Sequence, residues 1–79
     1  MYCVYILKLK DGSYYTGYSN SLKQRISEHK RGIVNTTKNL LPVTLVFYAA
    51  FTSKKKALEF EKYIKKGSGF AFRNKRLIS

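Results

Sequence analysis

The stretch Tyr2–Tyr18, YCVYILKLKDGSYYTGY, decides the fold because two runs of strand-forming residues flank a short turn. The turn falls at Lys10–Gly12, where Asp and Gly accept the positive φ that hairpins require. A two-residue turn would place Tyr5 and Tyr15 on opposite faces of the sheet. A three-residue loop with its glycine in the left-handed conformation pairs Tyr5 with Gly17, and both tyrosines then share one face. We predict this second register, in which Gly17 leaves space opposite the Tyr5 ring.

A helix is predicted directly after the hairpin. Ser21 and Gln24 form a capping-box pattern at its start, with Asn20 as an alternative cap, and Gly32 suits its C-terminal end. One helical face carries residues at the i, i+4, i+7 and i+11 positions: Leu22, Ile26, His29 and Ile33. Arg25 lies one step to the side, so a cation and a histidine occupy or border a stripe that should be buried. Residues 33–42, IVNTTKNLLP, read as a polar connection that is weakly structured at most.

The second half of the chain predicts one more strand and a further pair of helices. Residues 42–51, PVTLVFYAAF, are rich in β-branched and aromatic residues, with proline at the strand entrance. Thr52 or Ser53 can cap a second helix that continues to about Lys66. Residues 67–69, Gly-Ser-Gly, then read as a flexible joint ahead of one more short helix.

Two glutamates of the second helix have different environments. The apolar stripe of this helix consists of Ala57, Phe60 and Ile64. Glu61 falls in the middle of the stripe, whereas Glu59 falls opposite it and faces solvent. A carboxylate turned toward a core requires a partner, because burying it unpaired costs several kcal/mol. Glu61 therefore needs a cation or several hydrogen bonds, and an internal salt bridge to Arg25 or Lys65 would satisfy it.

Composition narrows the classes of function. The 79 residues suit a single domain, and 16 Lys plus Arg against four Asp plus Glu give a formal charge of +12. Such an excess attracts polyanions, so we expect nucleic acid as the partner in preference to an anionic membrane surface. No apolar run approaches the roughly 18 residues that span a bilayer. The lone Cys3 and the lack of a secretory signal pattern favour a cytoplasmic location.

Five positions in order resemble the GIY-YIG nuclease domain. CVYIL with Tyr5 is followed ten residues later by YTG with Tyr15; Arg25 comes ten residues after that, His29 four further on, and Glu61 lies within ALEFEKYIK. We expect residues 1–79 to form one such domain. The resemblance covers nearly the whole chain and is to a small stand-alone member similar to the nuclease domain of the bacterial excision-repair nuclease subunit. It implies an α/β fold with a small three-stranded, mainly antiparallel sheet, a β-hairpin and flanking helices.

The chain departs from the two tripeptides that give the family its name. Cys3–Tyr5 reads Cys-Val-Tyr in place of Gly-Ile-Tyr, and Tyr15–Gly17 reads Tyr-Thr-Gly in place of Tyr-Ile-Gly. Both tyrosines and the second glycine are kept, and the β-branched replacements suit strands. Cys3 places a side chain where the family often has none. Asn74 is the nearest match to an asparagine that many members carry after the glutamate.

The resemblance also implies roles for these residues. Four would act on water and phosphate: Tyr5 as general base, His29 as the acceptor or relay of its proton, Arg25 as the grip on the scissile phosphate, and Tyr15 as an orienting group. Glu61 would hold one Mg²⁺ or Mn²⁺, and Gly17 and Asn74 would support the site. We expect nucleic-acid contacts from five cations: Lys23, Lys30, Arg31, Lys38 and Lys65.

The predicted function is metal-dependent endonucleolytic hydrolysis of nucleic acid, with DNA expected and repair or processing of branched or nicked structures as the context. No small-molecule cofactor and no membrane partner are expected. Two alternative functions are not catalytic. The first is a DNA- or RNA-binding module that retains the nuclease fold, and the second is a basic protein associated with RNA or the ribosome. Retention of all five positions favours the enzyme over both alternatives, because a pure binding protein does not need Glu61 on a surface that meets phosphates. Strong sequence specificity is not expected, since we find no second DNA-reading module.

Overall fold

The computed structural model describes residues 1–78 and has an α/β architecture. Its elements in chain order are β1 (Tyr2–Lys8), β2 (Tyr14–Ser19), α1 (Leu22–Lys30), β3 (Thr44–Phe51), α2 (Lys54–Ile64) and α3 (Gly67–Phe72), followed by a π-helical segment, Arg73–Leu77. The strands form one antiparallel sheet in the order β2-β1-β3. The predicted fold class, a three-stranded sheet with a hairpin and flanking helices, is confirmed. No helix within the described range is long and apolar enough to cross a membrane.

The hairpin of β1 and β2 has the predicted three-residue loop. Tyr5 pairs with Gly17 and Leu7 pairs with Tyr15. Gly12 closes the loop at φ 86°, in the left-handed region where a side chain would be strained. Because side chains alternate between the faces of a sheet, this register places Tyr5 and Tyr15 on the same face.

The sheet is covered on both faces, which divides the core in two. Facing α2, the core packs Val4 and Ile6 against Ala57 and Ile64. On the other face, four buried residues pack against Leu22 and Ile26 of α1: Tyr5, Leu7, Leu9 and Val43. β1 is the central strand and contributes to both halves of the core. Tyr5 is therefore held in place by α1 above it and by the neighbouring strands on either side.

A bulge interrupts the pairing of β1 with β3. Ile6 pairs with Phe47, whereas the next residue of β1, Leu7, pairs with Leu45. Val46 is therefore the extra, unpaired residue of β3. A bulge of this kind changes which side chains point to which face of the bulged strand. As a result Leu45 packs with the core beneath α1, and Tyr48 lies directly opposite Tyr5.

The first helix is shorter than its hydrophobic spacing predicted. α1 ends at Lys30, and Gly32 follows at φ 76° as expected for a helix terminator. Ile33 therefore lies outside the helix and is 60% exposed, so its assignment to the buried stripe is wrong. The capping box is also wrong, because the Ser21 side chain makes no capping hydrogen bond.

Two segments predicted to be loose are packed instead. In the connection of residues 33–42, the side chains of Val34 and Thr37 are buried. The predicted flexible joint, Gly67–Gly69, forms the first half of α3. Gly69 is buried so closely against the backbone carbonyl of Tyr63 that a Cβ atom there would overlap with it. Tertiary packing orders both segments, and neither pattern of polar or small residues revealed that packing.

Candidate active site

A chain of two hydrogen bonds crosses the buried face of the sheet beneath α1. The hydroxyl of Tyr5 is 2.8 Å from Nε2 of His29, and Nδ1 of His29 is 2.8 Å from Oγ1 of Thr37. All three side chains are buried. When the imidazole carries its hydrogen on Nδ1, that nitrogen donates to Thr37 and Nε2 accepts from the Tyr5 hydroxyl. The three residues together are called the Tyr5 relay below.

Gly17 makes room for the Tyr5 ring. A Cβ atom at Gly17 would lie 2.9 Å from Cε1 of Tyr5 and closer still to the ring carbon that carries the hydroxyl and to the hydroxyl itself. Such separations are well inside van der Waals contact. Since β2 is an edge strand, a ring lying over Gly17 brings the Tyr5 hydroxyl from the central strand toward the edge of the sheet.

Tyr15 completes an aromatic cluster with Tyr5 and His29. Its ring centroid is 6.3 Å from that of Tyr5 and 5.2 Å from that of the imidazole, and both pairs of rings are tilted. These separations are within the range of favourable aromatic packing. Tyr15 is only partly buried, so the cluster has a buried end at Tyr5 and a more accessible end at Tyr15.

Arg25 brings positive charge to the cluster from α1. Its Nη1 donates to Oε1 of Glu28 at 3.1 Å, one helical turn along, and both side chains remain partly accessible. Burial raises the pKa of Tyr5 above its ordinary value near 10, while the neighbouring Arg25 guanidinium opposes that rise and Tyr15 and Glu61 add smaller increases. Tyr5 is therefore a neutral phenol at neutral pH.

His29 is also neutral. Burial lowers its pKa below the ordinary value of 6.5, and repulsion by the Arg25 guanidinium lowers it further, with Glu28 opposing weakly. A neutral imidazole retains one nitrogen that accepts a proton. Tyr5 and His29 are thus a hydrogen-bonded acid and base, buried together beside a fixed positive charge.

Glu61 lies on α2, which packs on the other face of the sheet from α1, yet its charge still acts on the Tyr5 phenol. Its Oε2 is 3.1 Å from Nζ of Lys65, one helical turn along, and the Glu61 side chain is 18% exposed against 51% for Lys65. Of the two partners considered from the sequence, Lys65 is the one found, while Arg25 pairs with Glu28. Glu59 is exposed, as its place opposite the apolar stripe predicted.

The remaining predicted site residues divide into two groups. Asn74 lies in the π-helical segment, where its side-chain oxygen accepts hydrogen bonds from Nε and Nη2 of Arg73 at 3.1 and 2.8 Å; no contact recorded among residues 1–78 joins it to the Tyr5 relay. Lys23, Lys30 and Arg31 line one side of α1, and Lys38 is exposed in the following connection.

Two residues of the site were missed in the sequence analysis, and only one of them carried a sequence signal. Thr37 stands beside a second threonine in a polar stretch, and only the packing of the connection brings its hydroxyl to His29. Glu28 is three residues after Arg25, a spacing that allows an ion pair on a helix surface. That spacing was available from the sequence and would have identified the partner of Arg25.

Comparison with known proteins shows which family this sequence matches. A family model described as the GIY-YIG catalytic domain matches residues 1–76. A UPF0213 protein of Clostridium perfringens is 47% identical over 64 residues, which are 80% of this chain and 69% of that protein. A UPF0213 protein of Bacillus subtilis is 41% identical over 63 residues, 78% of this chain and 64% of that protein. The chain thus spans about two thirds of the length of these two relatives.

A solved structure resembles the whole fold. The solution NMR structure of a UPF0213 protein from Bacillus halodurans aligns with a TM-score of 0.59 and 38% sequence identity, and the match covers 94% of this chain and 81% of the other. The match to the family model takes in both tyrosines of the hairpin, the arginine and histidine of α1 and the glutamate of α2. The chain therefore belongs to the GIY-YIG catalytic domain family.

Proposed function

We propose that this protein is a divalent-metal-dependent endonuclease that hydrolyses phosphodiester bonds in DNA, in the repair or processing of branched or nicked structures. The observation that carries the proposal is the Tyr5 relay: a buried phenol hydrogen-bonded to a neutral imidazole, with the cation of Arg25 alongside. A purely structural core does not require this combination of acid, base and fixed positive charge. The net charge of +12 supports a polyanionic substrate.

The relay lets a phenol with a raised pKa act as a base. In the hydrolytic step the Tyr5 oxygen takes a proton from water while its own proton passes to Nε2 of His29. The oxygen of that water forms the new bond to phosphorus, and the bond from phosphorus to the departing sugar oxygen breaks. The imidazolium then donates from both nitrogens, to the Tyr5 oxygen and to Oγ1 of Thr37. Proton return to solvent or to the leaving oxygen resets the relay.

Arg25 and Tyr15 act on the phosphate. The guanidinium is partly accessible, pairs with Glu28 at 3.1 Å and also interacts with the Tyr5 hydroxyl. A phosphate offers the guanidinium two or more oxygens in place of one carboxylate, which suits its forked donor geometry. Charge on the phosphate rises in the transition state, so a fixed cation at this position stabilises it more than the ground state. The accessible end of the aromatic cluster, at Tyr15, orients the phosphate or the attacking water.

Glu61 is the residue that would hold the metal ion, and its environment fits a hard divalent cation. No group of three or more His, Cys, Asp or Glu side chains in residues 1–78 forms a multidentate metal cluster. Mg²⁺ needs no such cluster, because it is commonly held by one or two carboxylates and keeps several waters. The ion would supply positive charge that lowers the pKa of water and neutralises the departing oxyanion. Lys65, the ion-pair partner of Glu61, is half exposed, so its side chain can turn toward solvent.

The ion pair between Glu61 and Lys65 favours a second candidate function, that of a non-catalytic DNA-binding module. If the Glu61 carboxylate stays paired with Lys65, its presence on the basic domain is explained without a metal. The two candidates differ in what Glu61→Gln does. In the nuclease the substitution abolishes turnover, whereas in a binding module there is no turnover to lose.

A panel of fluorescent substrates tests the proposal. Nicked, flapped, branched, single-stranded and RNA substrates are incubated with Mg²⁺ or Mn²⁺, and we expect cleavage of at least one DNA structure. Glu61→Gln should abolish that cleavage while affinity for DNA holds or rises, because a negative charge has left the site. Glu59→Gln makes the same change on the exposed face of α2 and should cleave like the wild-type protein. Absence of cleavage by the wild-type protein would favour the binding module, whereas equal cleavage by both variants would remove the metal role of Glu61.

A further inference from the structure

A groove lies between α1 and β3, and Arg25 is not among the residues that line it. It has a volume of about 540 Å³. Its apolar surface is formed by Leu22, Ile26, Leu45 and Tyr48. Its rim carries three cations: Lys23, Lys30 and Arg31. No aspartate or glutamate among residues 1–78 lines it. This feature is called the α1–β3 groove below.

The groove is open because α1 covers only part of its sheet face. Tyr5 and Tyr48 are directly paired across β1 and β3, and paired residues point to the same face. Tyr5 is fully buried beneath α1, yet Tyr48 is 57% exposed. The bulge at Val46 contributes, since it turns both Leu45 and Tyr48 toward this face. An aromatic ring is therefore presented to solvent beside an apolar surface.

The cations of the rim have no acidic partner among residues 1–78. None of Lys23, Lys30 and Arg31 forms an ion pair with another described residue. The carboxylates of Glu28 and Glu61 pair with other cations. At 1.5 Å per residue, Lys23 and Arg31 are about 12 Å apart along the axis of α1, enough to follow more than one phosphate of a strand. A row of unpaired cations beside an exposed aromatic ring is the combination that single-stranded nucleic-acid sites use.

We propose that the α1–β3 groove binds an unpaired segment of a DNA strand, with one base stacked on Tyr48 and the adjacent phosphates on the cations of the rim. The choice of DNA rests on the proposed function. A duplex would meet the cations but would offer no base face to the ring, because its bases are stacked on one another. The groove and the Tyr5 relay both use residues of α1, a helix about 10 Å across. The substrates are therefore DNA structures with an unpaired strand beside the cleavage site.

Binding in the absence of metal tests this without depending on turnover. Fluorescence anisotropy compares a short labelled oligothymidylate with a duplex of equal length, in EDTA and at several salt concentrations. We expect Tyr48→Ala to weaken single-strand binding by at least about fivefold, the lower end of the effect of losing one stacked base, while duplex affinity changes little. Tyr48→Phe keeps the ring and should restore single-strand binding.

Matched variants on α2 control for general effects. Tyr63 is also a half-exposed tyrosine, at 48%, and lies near Phe72 away from the groove, so Tyr63→Ala should bind both probes like the wild-type protein. Lys30→Gln should reduce the salt slope for the single strand by about 0.7. Lys62→Gln makes the same charge change beside α3 and should reduce the slope less.

Three results would overturn the proposal. Equal single-strand affinity of Tyr48→Ala and Tyr63→Ala would remove the stacking role. Tighter binding of the duplex than of the single strand, with no dependence on Tyr48, would assign the groove to duplex phosphates alone. A wild-type dimer that Tyr48→Ala converts to a monomer, with DNA affinity unchanged, would make the groove an interface between two copies. If instead the groove behaves as proposed and no substrate is cleaved, the proposed catalytic activity fails and the binding site stands.

Discussion

The substitution Gly17→Ala is the sharpest test of how the hairpin builds the relay. It adds one methyl group that meets the Tyr5 ring, with 2.9 Å to Cε1 and less to the hydroxyl. To restore ordinary contact at 3.4 Å, Cε1 must retreat by about 0.5 Å and the hydroxyl by more. Tyr5 is fully buried and has little space in which to retreat. Movement of this size takes its hydroxyl away from His29, which now lies at 2.8 Å.

The expected cost follows from overpacking a closed core. Such changes typically destabilise a protein by about 1–3 kcal/mol, and each kcal/mol lowers the melting temperature of a domain of this size by roughly 4–8 °C. We therefore expect Gly17→Ala to melt at least about 4 °C below the wild-type protein. At temperatures where it remains folded, cleavage should fall by the factor of about 10² to 10⁴ that general acid–base groups contribute.

Calorimetry and a cleavage assay at a temperature below both transitions measure the two effects separately. Gly69→Ala is the matched control, because its added methyl group overlaps with the Tyr63 carbonyl and not with the relay. It should lower the melting temperature without lowering the cleavage rate of the folded protein. A Gly17→Ala protein that melts and cleaves like the wild-type protein would refute the close approach of Tyr5 to Gly17.

Three further predictions concern the relay. Tyr5→Phe should lower the cleavage rate by about 10² to 10⁴ and lower stability by roughly 1–3 kcal/mol, since Nε2 of buried His29 loses its partner; single-turnover rates and denaturant unfolding test both. The single histidine should titrate by NMR below pH 6.5. The unfolded chain then binds more protons between the lowered native pKa and 6.5, so the His29 contribution to stability is complete above 6.5 and is lost as pH falls through that window. Thr37→Val should reduce the cleavage rate and shift this titration, while Thr37→Ser should restore both; a valine variant with unchanged rate and titration would show that Thr37 only fills space.

The hairpin is a part of the fold that the local sequence determines. Its loop chemistry, Asp then Gly, sets the register of β1 and β2, and the register alone places Tyr5 and Tyr15 on one face with Gly17 opposite the ring. Turn geometry involves only a few adjacent residues, so it is encoded where it acts. The same holds for Glu61, since helical periodicity places it toward the core and Glu59 toward solvent.

The relay itself depends on contacts between distant segments. Tyr5 and His29 are 24 residues apart, and the hydrogen bond between them exists because the face of the sheet and α1 pack together. Thr37 comes from a connection that looked unstructured, and it is buried because that connection closes over the core. No periodic or turn pattern predicts either contact, because the secondary structure around each residue forms equally well whether or not the contact is made.

Tertiary structure also decided the choice among partners that the sequence left open. Lys65 and Arg25 were equally available to Glu61, but α1 and α2 lie on opposite faces of the sheet, so each charge pairs along its own helix. The bulge at Val46, and with it the exposure of Tyr48, follows from fitting β3 against β1. Local patterns fix the elements and the faces they bury, because backbone geometry has a short period. Which side chains meet across those faces is set by close packing of the whole chain, a condition that no short stretch of sequence satisfies alone.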